Sequence, residues 1–85
     1  MIDVRQAVEI ASQYFTGIYQ SPITDLTVEE VEQVDMGPDT YWDITLGFNR
    51  NVSGSPFLIK NERVYRVIRI NADSGQPISM KMRTL

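Results

Sequence analysis

Glu29, Glu30 and Glu32 fall close together in the chain, and paired carboxylates are what glycoside hydrolysis and hard-cation binding require. In a regular strand, alternation sends Glu30 and Glu32 to one side. Neither a second carboxylate cluster nor a calcium-loop spacing accompanies them, so their ordinary reading is a charged edge that discourages strand addition. Asp35, Asp39 and Asp43 surround a Gly-Pro turn and form the other acidic spacing that calcium could use. Nucleophilic chemistry lacks its parts. The chain has no histidine and no cysteine, which removes thiolate nucleophiles, disulfides, cysteine zinc sites and the commonest acid–base side chain at neutral pH. Ser74, beside Gly75, has no histidine to activate it. Lys60 and Lys81 have no motif around them, and Ser53-Gly54-Ser55 has no following lysine or helix to complete a phosphate loop. The expectation is a non-enzymatic chain with no catalytic residue, metal or cofactor.

Charge distribution says more than any motif. Residues 1–49 hold nine acids and one base, net −8, and residues 50–85 hold seven bases and two acids, net +5. In an antiparallel meander the first strand is then acidic and the last two are basic. Cross-strand pairing within one molecule would use these charges up; otherwise they leave a dipolar surface that steers partners or favours self-association. Arg63, Arg66, Arg69, Lys81 and Arg83 with Tyr41 and Tyr65 could form a stacking platform for single-stranded nucleic acid, but the overall charge of −3 argues against it.

These residues need elements to position them. The 85 residues, 42% apolar and 22% charged, suit one small globular domain over 1–85. Val4, Ala7, Val8, Ala11, Tyr14, Phe15 and Ile18 recur at helical spacing, which predicts a helix from Asp3 to about Tyr19. Asp3 and Gln6 make a capping box, and Ser21-Pro22 stops the helix. Thr24 to Val34 reads as an edge strand whose alternation slips near Glu29-Glu30, the mark of a β-bulge. A short helix around Val28–Val34 is the competing reading, because Thr27-Val28-Glu29-Glu30 also resembles a capping box. After the Met36-Gly37-Pro38-Asp39 turn, Trp42, Ile44, Leu46 and Phe48 alternate as a half-buried strand. Asn49 to Pro56 reads as a loop, and Lys60-Asn61-Glu62 as a second turn. Arg63 to Ala72 is a strand, Asp73-Ser74-Gly75-Gln76 a hairpin loop, and Ile78, Met80 and Met82 alternate in a last strand that Pro77 opens. The predicted class is α+β, with the helix packed on a three- to four-stranded antiparallel sheet, over Trp42, Ile44, Leu46, Phe48, Ile78, Met80 and Met82.

The spaced alanines Ala7 and Ala11, the Val28-Glu29-Glu30-Val31-Glu32 strand, the Tyr41-Trp42-Asp43-Ile44-Thr45 strand and the closing Val67–Gly75 hairpin together resemble a PepSY domain. Asn71-Ala72-Asp73-Ser74-Gly75 is similar to the Asp-Ala-x-Thr-Gly turn usual in that family. The resemblance implies a cystatin-like helix-on-sheet fold and a role in binding or restraining peptidases, without catalysis.

Arg63 to Ala72 places Val64, Ile68 and Ile70 on one face and Tyr65 and Val67 on the other. Whichever face meets the helix, the other keeps apolar area, to which Tyr41 and Phe57-Leu58-Ile59 could add. Residues 50–62 could fold back over it, or it could stay open as an interface. The candidate interface residues are Tyr41, Tyr65, Val67 and Arg69. The expected partner is a protein, a peptidase or a second copy as a homodimer; the alternative is a small ligand or nucleic acid on the same open face. No apolar stretch approaches the ~20 residues of a membrane span, and Met1 to Arg5 lead into no apolar signal run. The expected location is cytoplasmic, or extracytoplasmic for a domain cut from a longer exported protein.

Overall fold

The computed structural model describes the backbone of residues 1–55 and 58–84 and the side chains of 1–50 and 61–84. Helix α1 (Val4–Ile18) is followed by four strands, β1 (Ile23–Met36), β2 (Asp39–Ser55), β3 (Leu58–Asn71) and β4 (Pro77–Arg83). They form one antiparallel sheet in the order β1-β2-β3-β4, which is the α+β arrangement expected. A 17-residue strand at ~3.3 Å per residue accounts for the long dimension of a molecule measuring 53 × 22 × 17 Å.

The helix begins where its capping box puts it. Asp3 Oδ1 accepts from the Gln6 N–H, and Gln6 Oε1 accepts from the Asp3 N–H. Just upstream, the Ile2 N–H donates to the Ala72 carbonyl, and the Ile2 carbonyl accepts from Trp42 Nε1. These bonds pin the start of α1 to the end of the sheet. Ala7 and Ala11 are fully buried, so the helix backbone can approach β2 and β3 closely. Phe15 fills the far end against Phe48 and Tyr19, with ring centroids 4.7 and 5.0 Å away. Ile44, Leu46, Ile68 and Ile70 complete the core beneath the helix.

The slip in β1 is a bulge. Its register on β2 shifts between Val28 and Glu30, leaving Glu29 as the extra residue, so the strand reading holds over the helical one. A second shift, between Thr24 and Thr27, surrounds Asp25, which has a φ of +54°. Gly37 and Pro38 join β1 to β2 as a two-residue loop, and Gly37 supplies the positive φ (63°) that a first central position can require. Beyond β3, the Asn71 side-chain oxygen accepts from the Asp73 and Ser74 N–H groups, and Gly75 turns back with φ +73°.

Two expectations are corrected. Residues 49–55 are not a loop and residues 60–62 are not a turn: β2 and β3 continue as a paired ladder, with Arg50 opposite Glu62 and Asn51 opposite Asn61. Turn-forming residue types are overridden here by pairing with a neighbouring strand, a non-local effect. Ile78 and Met82 do not pack under the helix; they are 52% and 81% exposed, and only Met80 of the three packs against the core. A helix ~10 Å wide cannot cover four strands spaced ~4.8 Å apart. It lies mainly over β2 and β3, so both edge strands reach beyond it.

Candidate protein-interaction surface

The face opposite the helix is set by the register. Ile44 faces Ile68 in the core, so their neighbours Asp43 and Thr45 on β2, and Val67 and Arg69 on β3, point the other way. Tyr41 and Tyr65 share that parity. All four candidate interface residues therefore lie on the open face, and all are half-buried. Tyr65, Val67 and Arg69 run along β3. The Arg69 guanidinium sits 5.6 Å from the centre of the Tyr41 ring, a cation–π distance that ties the fourth residue to the row. Side chains of the Phe57-Leu58-Ile59 triplet, Lys60 and Ser53-Gly54-Ser55 lie outside the described residues.

Three guanidiniums bind this face together. Arg69 makes a two-pronged pair with Asp43, its cross-strand neighbour, at 2.8 and 2.9 Å. Asp43 in turn holds the guanidinium more firmly protonated than usual. Arg63 on β3 reaches past β2 to β1, where it contacts Glu29 at 2.7 Å, the Thr27 hydroxyl and the Asp25 carbonyl. Arg83 on β4 bonds Thr45 Oγ1 at 3.3 Å and Glu30 at 2.9 Å. Since Arg83 is opposite Tyr65 and Thr45 is opposite Val67, its side chain crosses β3 between these two candidate residues. Thr45 is 1% exposed as a result of this cover.

The long reach of Arg63 depends on Gly47. This glycine is paired with Thr27 on one side and Tyr65 on the other. A Cβ there would stand 2.7 Å from Glu29 Oε1 and 2.9 Å from Arg63 Nη2. Gly47 is thus a notch in β2 through which β1 and β3 make direct contact. Glycine inside a strand signals such close approach; the sequence carried that signal at 47, though not which residues would meet there. The carboxyl of Glu29 lies below its ordinary value of 4.5, first because the Thr27 hydroxyl donates to it and next because Arg63 does.

Four of the six acids that could have done chemistry are thus engaged with basic or hydroxyl groups. Glu29, Glu30 and Asp43 pair with arginines, and Asp35 accepts from the Thr40 hydroxyl. Among the described residues, no three His, Cys, Asp or Glu side chains stand together as a metal site. Part of the sequence-wide charge asymmetry is spent in cross-strand pairs, since all three bridges of this face join an acid from residues 1–49 to a base from 50–85. Where β4 ends, a cleft of about 390 Å³ opens, lined by Arg50, Glu62, Arg63, Arg66, Met82 and Arg83 among others.

The chain matches no protein-family model, no curated protein and no solved structure. Among the described residues, no helix is long and apolar enough to cross a membrane.

Proposed function

We propose that this chain is a non-enzymatic protein-binding or regulatory module that recognises its partner with the open face of the sheet. One observation carries this reading: on a face whose arginines are held by carboxylates of other strands, Tyr41, Tyr65 and Val67 remain partly accessible beside a fixed guanidinium. Interfaces favour tyrosine and arginine. An arginine already immobilised by Asp43 loses little further freedom on binding, which lowers the cost of association. The resemblance to PepSY domains makes a peptidase the partner to try first, with the chain as its inhibitor or regulator.

A peptidase panel titrated with this protein tests the proposal, using Tyr65→Glu and Val67→Glu as controls. Expected is inhibition or binding of at least one peptidase, weakened tenfold or more (about 1.4 kcal/mol or more) by either substitution while the far-ultraviolet circular dichroism stays unchanged. No binding across the panel removes the peptidase role. Binding that both variants retain at full strength removes the open face. A second reading, a small anionic ligand, is favoured only by the arginine-lined cleft; a melting shift with inorganic phosphate, lost in Arg66→Ala, would support it.

A further inference from the structure

The two outer edges of the sheet are unlike each other. Every residue of β1 except Ile23 and Val34 is exposed. The strand carries Asp25, Glu29, Glu30, Glu32 and Asp35 and no base. At the opposite edge, β4 carries Lys81 and Arg83 and no acid, and it presents Met82 and Ile78 to solvent. Each edge is a row of backbone groups with no strand beyond it among the described residues, which is a template for adding another strand. We infer that copies of this chain associate head to tail, the β4 edge of one adding to the β1 edge of the next.

Three observations select this partner and this pairing. The first is charge. A β1–β1 contact would set five acids against five, and a β4–β4 contact would set base against base, and like charges directly opposite are destabilising. Only β1 with β4 brings opposite signs together. The second is direction. Strand order β1-β2-β3-β4 is antiparallel throughout, so a second copy in the same orientation continues the antiparallel meander and keeps its helix on the same side.

The third is register. The two bulges interrupt β1 before Glu30, but from Glu30 to Met36 its ladder is regular. Placing Lys81 opposite Glu32 of the next copy also places Arg83 opposite Glu30 and Met82 opposite Val31. The faces agree: Glu30, Glu32, Lys81 and Arg83 are on the open side, while Val31 and Met82 are on the helix side. Among the described residues, neither Glu32 nor Lys81 has an ion-pair partner within its own molecule. The contact would give each of them one. Because the two patches differ, the contact is heterologous and adds copies in a row. It leaves the open face free and does not depend on the peptidase reading.

Light scattering on the whole chain, over a concentration series up to its solubility limit and at low and high salt, tests the inference. Expected is a mass above the monomer that rises with concentration and falls as salt shortens the screening length. Lys81→Glu and Glu32→Lys should each remain monomeric, since each sets like charges opposite one another at the 32–81 position, and an equimolar mixture of the two, which restores opposite charges there, should regain growth. Circular dichroism verifies that both variants stay folded. A monomer at every concentration overturns the inference. So does an assembly that salt leaves unchanged, or a mixture that stays monomeric when the unmodified chain assembles.

Discussion

Replacing Gly47 with alanine should destabilise this protein, although the same change in most strands stabilises. Gly37 and Gly75 have positive φ, whereas Gly47 does not, so the effect at 47 is steric. The new methyl would lie 2.7 Å from Glu29 Oε1 and 2.9 Å from both Glu29 Cγ and Arg63 Nη2. The crowding atoms belong to the Glu29 and Arg63 side chains, so the methyl is accommodated by pushing them aside and breaking their charge-assisted bonds to each other and to Thr27, a loss of ~1.5–3 kcal/mol, while relief of the glycine's backbone entropy returns ~0.5–1 kcal/mol. The net is a loss of about 0.5–2.5 kcal/mol, or a fall in Tm of ~2–20 °C for a domain this size. Urea unfolding followed by Trp42 fluorescence measures it. The decisive variant is Gly47→Ala on a Glu29→Ala background. There two of the three crowding atoms are gone and Arg63 is free to swing aside, so the sign should reverse to a gain of ~0.5–1 kcal/mol. If Gly47→Ala costs the same with and without the Glu29 side chain, the notch is not what the glycine provides.

Two further outcomes follow from the same geometry. Because the folded-state Glu29 carboxyl titrates below its ordinary 4.5, the stability it contributes is fully present above that value and is lost as pH falls towards the depressed folded value. Glu29→Gln should therefore flatten the acid limb of the urea midpoint against pH; an unchanged slope would mean that the Thr27 and Arg63 contacts do not persist in solution. Phe15→Ala empties the centre of the Phe15–Tyr19–Phe48 cluster and should cost ~3–5 kcal/mol. Against a total of ~4–13 kcal/mol for a chain of this length, that leaves a marginal fold, and a urea midpoint within error of the unmodified protein would contradict the helix placement.

Local rules carried the helix, the bulge and the turns at Gly37 and Gly75, because each of these is decided within a few residues. Asp3 with Gln6 caps its own helix, the phase slip at Glu29 is visible in the spacing of Val28 and Val31, and Gly75 turns beside Asn71. The strand state of residues 49–55 and 60–62 was hidden, since Asn49, Asn51 and Asn61 favour turns locally and become extended through ladder bonds to the opposite strand. Alternation in β4 showed which residues share a face. It could not show that the helix is too narrow to reach Met82. On β3, parity showed that Tyr65 and Val67 share a face, but which face meets the helix, and that Tyr41 stands beside this row, followed only from the β2–β3 register. The arginine bridges were not legible. Arg63 meets Glu29 across 34 positions of sequence, and only the twisted sheet and an absent side chain at 47 bring them together.

The charge halves of the sequence thus divide into two physical roles, and the division sets how strong edge association can be. Arg83 and Glu30 already bond within one molecule, so meeting across copies exchanges one partner for an equivalent one and gains little. What is new at the joint is the Glu32–Lys81 pair and the cover given to Met82, which at 81% exposure has most of its surface still to bury. Full burial of such a side chain contributes ~1.5–3 kcal/mol, and an exposed ion pair ~0.2–1 kcal/mol, while association costs ~4–15 kcal/mol in lost freedom. The backbone bonds of the added strand must supply the rest. A contact so balanced is weak, reversible and sensitive to salt. A tight oligomer indifferent to salt would have to be held by a surface with more apolar area and fewer unpaired charges, and on this molecule that is the Tyr65–Val67 row rather than either edge.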